Sequence, residues 1–162
     1  MAEVKFDLEI IENLIREKQK SVDYDIKEFT IEIIVQKYLT GEKDGINDIF
    51  IPDYQRAFVW EDLKQSRFIE SIILGIPIPY IFTADMTDGR LEIIDGSQRI
   101  RTLSRFLNNE FKLANLEVLD KCNGMYFKDF SPSRQKKINN ASLRMIVLSD
   151  KSDEDARFML FE

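Results

Sequence analysis

Between Leu91 and Leu107 the spacing of apolar residues changes across a single glycine. Leu91, Ile93 and Ile94 form a short apolar run directly after Asp88-Gly89, a strong hairpin signal. Beyond Gly96, the residues Ile100, Leu103, Phe106 and Leu107 recur at helical intervals. A strand that returns from a hairpin and runs straight into an amphipathic helix has two apolar surfaces to bury, and burying one against the other gives a layered fold containing both elements.

The punctuation on either side extends this unit. Tyr80 to Ala84 reads as the outgoing strand of the hairpin, reached through Ile76-Pro77-Ile78-Pro79, which is too rich in proline for a central strand and serves as a rigid connection. Upstream, Leu63, Phe68, Ile69, Ile72 and Ile73 mark one face of a helix over 61–74, closed by Gly75. Ile49-Phe50-Ile51 is a short buried strand stopped by Pro52, following turn chemistry at Lys43-Asp44-Gly45. Ile31, Ile33, Ile34, Val35, Tyr38 and Leu39 predict a further helix, with Thr30 as its cap and Gly41 as its end, although the β-branched residues leave a strand open at its start. Downstream, strands are expected near 111–113 and 125–127, then a helix from Ser131-Pro132 to about Asn140 and a strand over 142–148. A last helix from Asp153 carries Phe158, Leu160 and Phe161 to the final residue with no cap, which gives the expectation of a longer protein continuing past Glu162.

Residues 3–20 place Val4, Leu8, Ile11, Leu14 and Ile15 on one side of a helix with charges between, and Tyr24 to Ile26 follow as a short extended link. A chain of 162 residues suffices for one hydrophobic core and is short for two. The expected organisation is therefore an N-terminal helical arm over 1–28 and one domain over 29–162. There is no internal repeat, and helices and strands interleave without regular βαβ alternation. The class is α+β, a small mixed sheet flanked by helices.

Composition narrows the chemistry. With no histidine in the chain, histidine-centred triads, His-containing zinc sites and His-dependent nuclease centres are excluded within it. A single cysteine permits no intrachain disulfide and suits a reducing compartment. No apolar run reaches the ~18 residues of a membrane span, and Met1 to Asp7 lack the layout of a signal peptide, so the expectation is a cytoplasmic protein with no membrane partner. The formal charge of −6 opposes tight, non-specific binding to duplex DNA.

Two segments gather groups capable of chemistry. Asp95-Gly96-Ser97-Gln98-Arg99 joins a strand end to a helix start, where unpaired N–H groups and the positive end of the helix dipole favour an anion. Gly96 permits close backbone approach, Ser97 can cap the helix or bond a phosphate oxygen, and Asp95 is suited to accept a proton or hold a metal ion. Arg99 and Arg101 fall in the first helical turns, where a cation is disfavoured by roughly 0.3–1 kcal/mol unless an anion binds. An equally simple reading has Asp95 pairing with Arg99 to fix the turn. In Asp53-Tyr54-Gln55-Arg56, the phenol suits base stacking, the guanidinium a phosphate, and the amide a water molecule. The plainer alternative is a turn whose Tyr54, Phe58 and Trp60 pack inward while Arg56 pairs with Asp53 or Glu61.

In order and spacing, Pro52-x-Tyr54-Gln55-Arg56 with Trp60, Glu70-Ser71-Ile72 leading to Gly75-Ile76-Pro77-Ile78-Pro79, and Ile94-Asp95-Gly96-Ser97-Gln98-Arg99 resemble the family marked by a DGQQR motif. That motif characterises the N-terminal domain of GmrSD-type restriction enzymes, a family similar to the ParB/sulfiredoxin-like fold with its phosphate-binding Gly-x-x-Arg turn. The resemblance implies binding and hydrolysis of a nucleoside triphosphate with Mg²⁺, in a protein of DNA restriction and phage defence. By position it gives Asp95, Gln98 and Arg99 catalytic roles and Asp95 the metal. It places the nucleotide between Gly96, Ser97 and Arg99 on one wall and Tyr54, Gln55 and Arg56 on the other. Ser97 stands where the family usually has its first Gln, which shortens the reach of that side chain. The resemblance further implies a nuclease domain elsewhere, C-terminal or separate, so that DNA is an indirect partner. The competing reading is a ParB-like module that binds DNA or a protein partner, with a degenerate nucleotide pocket.

Overall fold

The strand–glycine–helix unit forms where the sequence places it. The computed structural model describes residues 3–55, 57 and 60–150. Its strands are β1 (Tyr24–Thr30), β2 (Ile49–Phe50), β3 (Ile81–Asp85), β4 (Leu91–Asp95) and β5 (Ser142–Leu148), and its helices are α1 (Leu8–Lys20), α2 (Ile31–Leu39), α3 (Asp62–Leu74), α4 (Ser97–Leu107) and α5 (Pro132–Asn140). One five-stranded sheet runs in the order β1-β5-β3-β4-β2. The hairpin pair β3–β4 and the pair β1–β5 are antiparallel, whereas β3–β5 and β2–β4 are parallel, so the sheet is mixed and the class is α+β.

Helices cover one face of the sheet. Ile81, Ile93 and Met145 are fully buried there, in one core with Ile31 and Ile34 of α2 and Ile100, Leu103 and Phe106 of α4. A smaller cluster, Ala84, Ile94 and Leu148 with Phe82 packed on it, forms apart from that core. The expected caps form: Thr30 Oγ1 accepts from the Ile33 N–H at 3.3 Å, and Ser131 Oγ from that of Arg134 at 3.2 Å. With its cap in place, α2 is helical throughout despite its β-branched residues. Among the described residues no helix is long and apolar enough to cross a membrane.

Three expectations change. The segments 111–113 and 125–127 are not strands: one backbone bond joins them, Leu113 N to Met125 O at 3.0 Å, and the other bond nearby, Gly124 N to Leu113 O at 2.7 Å, comes from the residue before the second segment. Side-chain anchoring replaces the ladder, because the rings of Phe111, Phe127 and Phe130 all gather round Phe106, at 5.6, 5.7 and 6.4 Å between centroids. Tyr24 to Ile26 belong to a full edge strand, pairing from Tyr24↔Leu148 to Thr30↔Ser142, so the boundary drawn after residue 28 falls inside β1. Its residues from Tyr24 to Glu28 are all exposed, which erases the alternation that marks a half-buried strand. The first helix begins at Leu8 rather than residue 3, because Asp7 Oδ1 caps it by accepting from the Glu9 and Ile10 N–H groups at 3.1 and 3.2 Å. The last expected helix, from Asp153, lies outside the described residues.

Candidate functional site

Glycine is required at the turn between β4 and α4 on two grounds. Gly96 has φ +110°, in the left-handed region, and a Cβ there would stand 3.1 Å from both Ile81 Cγ1 and Cγ2 and 3.2 Å from Arg99 Nη2. The backbone thus lies flat against β3, and α4 begins at Ser97, which is buried and makes no side-chain cap. The Asp95 side chain at the strand end remains 65% exposed.

Around this turn the three motifs meet. Gln98 Oε1 accepts the Trp60 N–H at 3.1 Å, while its Nε2 donates to the Ala57 carbonyl at 3.1 Å. Gln55 Nε2 donates to the carbonyls of Ile94 at 2.8 Å and Ile93 at 3.3 Å, and the Tyr54 hydroxyl donates to Glu92 Oε1 at 3.0 Å. Both ends of the Tyr54–Trp60 segment are therefore tied to the β4–α4 junction. Arg99 reaches the other way: its guanidinium donates to the Pro79 carbonyl and, at 3.2 Å, to that of Tyr80, with Asp95 Oδ2 at 3.9 Å. Arg56, expected on the facing wall, and Phe58 lie outside the described residues.

These contacts resolve the placement of positive charge at a helix start. Only 12% of the Arg99 side chain is exposed. Burial pushes its guanidinium below the ordinary value, and the Asp95 carboxylate draws it partly back. Burial also raises the Tyr54 phenol, and the hydrogen bond to Glu92 and the charge of that carboxylate add to the shift. Both groups keep their proton near neutrality, which their donor roles require.

A sizeable cavity lies beside this junction rather than at residues 95–99. About 550 Å³ in volume, it is bounded by Tyr38, Glu42, Asn47, Asp53, Arg90 and Arg101, together with Pro52 of the second motif. A second hollow of about 380 Å³ shares Tyr38, Glu42 and Arg101 and continues along α4 past Ser104. Arg90 is held in place: its Nε and Nη2 donate to Asn47 O at 2.8 Å and Oδ1 at 3.1 Å, and its guanidinium lies over the Phe50 ring at 4.1 Å. Arg101 is different, because its Nε is buried and meets no hydrogen-bond partner among the described residues. A buried guanidinium N–H without an acceptor is costly, by about 1–3 kcal/mol, unless a ligand supplies one. Sequence reasoning noted Arg101 only as an oddly placed charge and missed Arg90 and Asn47. The misplaced charge was the usable signal.

No group of three or more acidic or thiol side chains able to hold a metal ion occurs among the described residues. Neither a curated protein nor a solved structure matches the chain. A family model does, over residues 31–162, which takes in every segment just described as meeting at the junction. The chain belongs to the family described as GmrSD restriction endonuclease, N-terminal domain.

Proposed function

We propose that this domain binds a nucleoside triphosphate in the cavity flanking α4 and hydrolyses it as the regulatory part of a DNA restriction protein. The observation that carries the reading is Arg101, a residue lining a cavity large enough for a nucleotide, whose buried Nε has no acceptor among the described residues. A phosphate oxygen there satisfies the donor and reverses the penalty of a cation in the first turns of α4. Arg90, with two of its five donors on Asn47, adds a second positive charge. Tyr38 and Phe50 offer aromatic surface, and Glu42 offers an acceptor for amino groups of a base.

Within this proposal Gln98 and Arg99 are positioning residues. They hold the segment before α3 and the proline-rich connection against the start of α4, so that Gly96 and Ser97 keep the helix N-terminus in one geometry. Gln55 does the same from β4, while Tyr54 and Arg56 belong to the facing wall implied by the resemblance. The resemblance gives Mg²⁺ to Asp95, whose carboxylate is open but stands outside the lining of this cavity; that ion takes one or two protein carboxylates and completes its shell with phosphates and water. Hydrolysis transfers the terminal phosphoryl group to water and releases nucleoside diphosphate and inorganic phosphate. Any cutting of DNA falls to residues or a nuclease partner outside this chain.

Calorimetric titration with GTP, ATP and CTP, with and without Mg²⁺, tests the proposal together with a phosphate-release assay. Saturable binding that weakens in Asp95→Asn only when Mg²⁺ is present supports it. Absence of binding to all three nucleotides by folded protein defeats it. One observation favours the ParB-like alternative: Gln55, Gln98 and Arg99 have donors committed to backbone carbonyls, as in a motif retained for architecture. That alternative predicts a DNA mobility shift that weakens with salt and is unchanged in Arg101→Ala.

A further inference from the structure

The first helix lies outside the family match and contributes nothing to the core. None of the α1 residues is buried, and Leu8, Ile10, Leu14 and Ile15 are 72, 65, 52 and 44% exposed. The helix is nevertheless well formed, with an Asp7 cap at one end and the Ser21 N–H closing the last turn at the other. An isolated helix of about 12–15 residues is marginal in water even when rich in alanine, and α1 has none. Its stability therefore calls for packing of the stripe formed by Leu8, Ile11, Leu14 and Ile15.

We propose that α1 pairs in antiparallel fashion with α1 of a second copy of this chain. The charges argue for that occupant. The first half of the helix is acidic, with Asp7, Glu9 and Glu12, and the second is largely basic, with Arg16, Lys18 and Lys20 against Glu17. Lys18 falls on the apolar stripe, three and four residues after Ile15 and Leu14. Parallel pairing sets Lys18 against Lys18 in an apolar seam, whereas antiparallel pairing carries each Lys18 to the acidic first turns of its mate. Such a contact is isologous, as a two-fold dimer requires. A lipid surface fits less well: Glu9, Glu12 and Glu17 balance Arg16, Lys18 and Lys20, so α1 lacks the basic surplus that draws a helix to anionic bilayers.

Sedimentation of the 162-residue chain tests this. The wild type is expected as a two-chain species at sub-millimolar concentration, and Ile11→Asp/Ile15→Asp, which leaves the domain untouched, as a single chain, its association weakened more than about a hundredfold. Glu9→Lys/Glu12→Lys and Lys18→Glu/Lys20→Glu should each be single chains alone and associate when mixed. A single-chain wild type overturns the proposal, as does a two-chain Ile11→Asp/Ile15→Asp variant. So does wild-type binding to phosphatidylserine vesicles that is lost in Ile11→Asp/Ile15→Asp.

Discussion

Replacing Arg99 by Ala separates an architectural role from a ligand-facing one without any ligand present. Its guanidinium makes two charge-assisted hydrogen bonds to the carbonyls of Pro79 and Tyr80, each worth about 1.5–3 kcal/mol when fully desolvated. Pro79 is exposed and its carbonyl regains water once the arginine is gone, which discounts that share. The Asp95 contact adds less than about 1 kcal/mol, since its carboxylate is mostly in solvent at 3.9 Å. The expected loss is roughly 2–4 kcal/mol. For a domain of this size that lowers Tm by roughly 4–16 °C. Arg99→Lys keeps the charge and loses the planar fork, so it should fall between. Urea unfolding of the ligand-free protein, followed by Trp60 fluorescence, gives the number. Unchanged stability in Arg99→Ala, to within about 0.5 kcal/mol, refutes the tie between α4 and the proline-rich connection.

Other consequences follow from the same geometry. Gly96→Ala should cost about 1–3 kcal/mol in the same unfolding assay, because it combines positive φ with contacts of 3.1 Å to Ile81. Phe106→Ala, which removes the ring at the centre of the Phe111–Phe127–Phe130 cluster, should cost about 3–5 kcal/mol and loosen residues 111–130 to hydrogen exchange. Tyr54 is raised above its ordinary 10.0, so its contact with Glu92 is complete below that value and is lost as pH climbs through the higher folded value. Tyr54→Phe should therefore change stability by less than about 1 kcal/mol near neutrality, and its difference from wild type should vanish only in strong alkali.

Sequence legibility was high wherever local chemistry and burial agree. The hairpin at Asp88-Gly89, the Thr30 and Ser131 caps and the α4 stripe all fall where pattern and turn residues place them, because each is set by groups a few residues apart. The edge strand β1 was hidden because it is solvated on both sides from Tyr24 to Glu28, leaving no alternation to read. Phe111 and Met125 suggested strands because their aromatic and apolar neighbours suit either a ladder or an anchor, and only the position of Phe106 decides between them. At the candidate site, the ordered motifs carried the family and the junction where they meet. The division of labour within the motifs was not legible, since the partners of Gln98 and Arg99 lie about 20–40 residues away in sequence. Arg101 was visible as a charge in the wrong place, but its unpaired Nε is a property of three-dimensional packing alone.

The central claim is that the Arg101 wall of the cavity receives the phosphates of a nucleotide. Affinity for the preferred triphosphate, measured by calorimetry on wild type and Arg101→Ala with matched unfolding curves, tests it most directly. Arg101→Ala is expected to fold at least as stably as wild type and to bind about 10- to 150-fold more weakly, the loss of one charge-assisted contact of about 1.5–3 kcal/mol. Equal affinities in two equally stable proteins would contradict it.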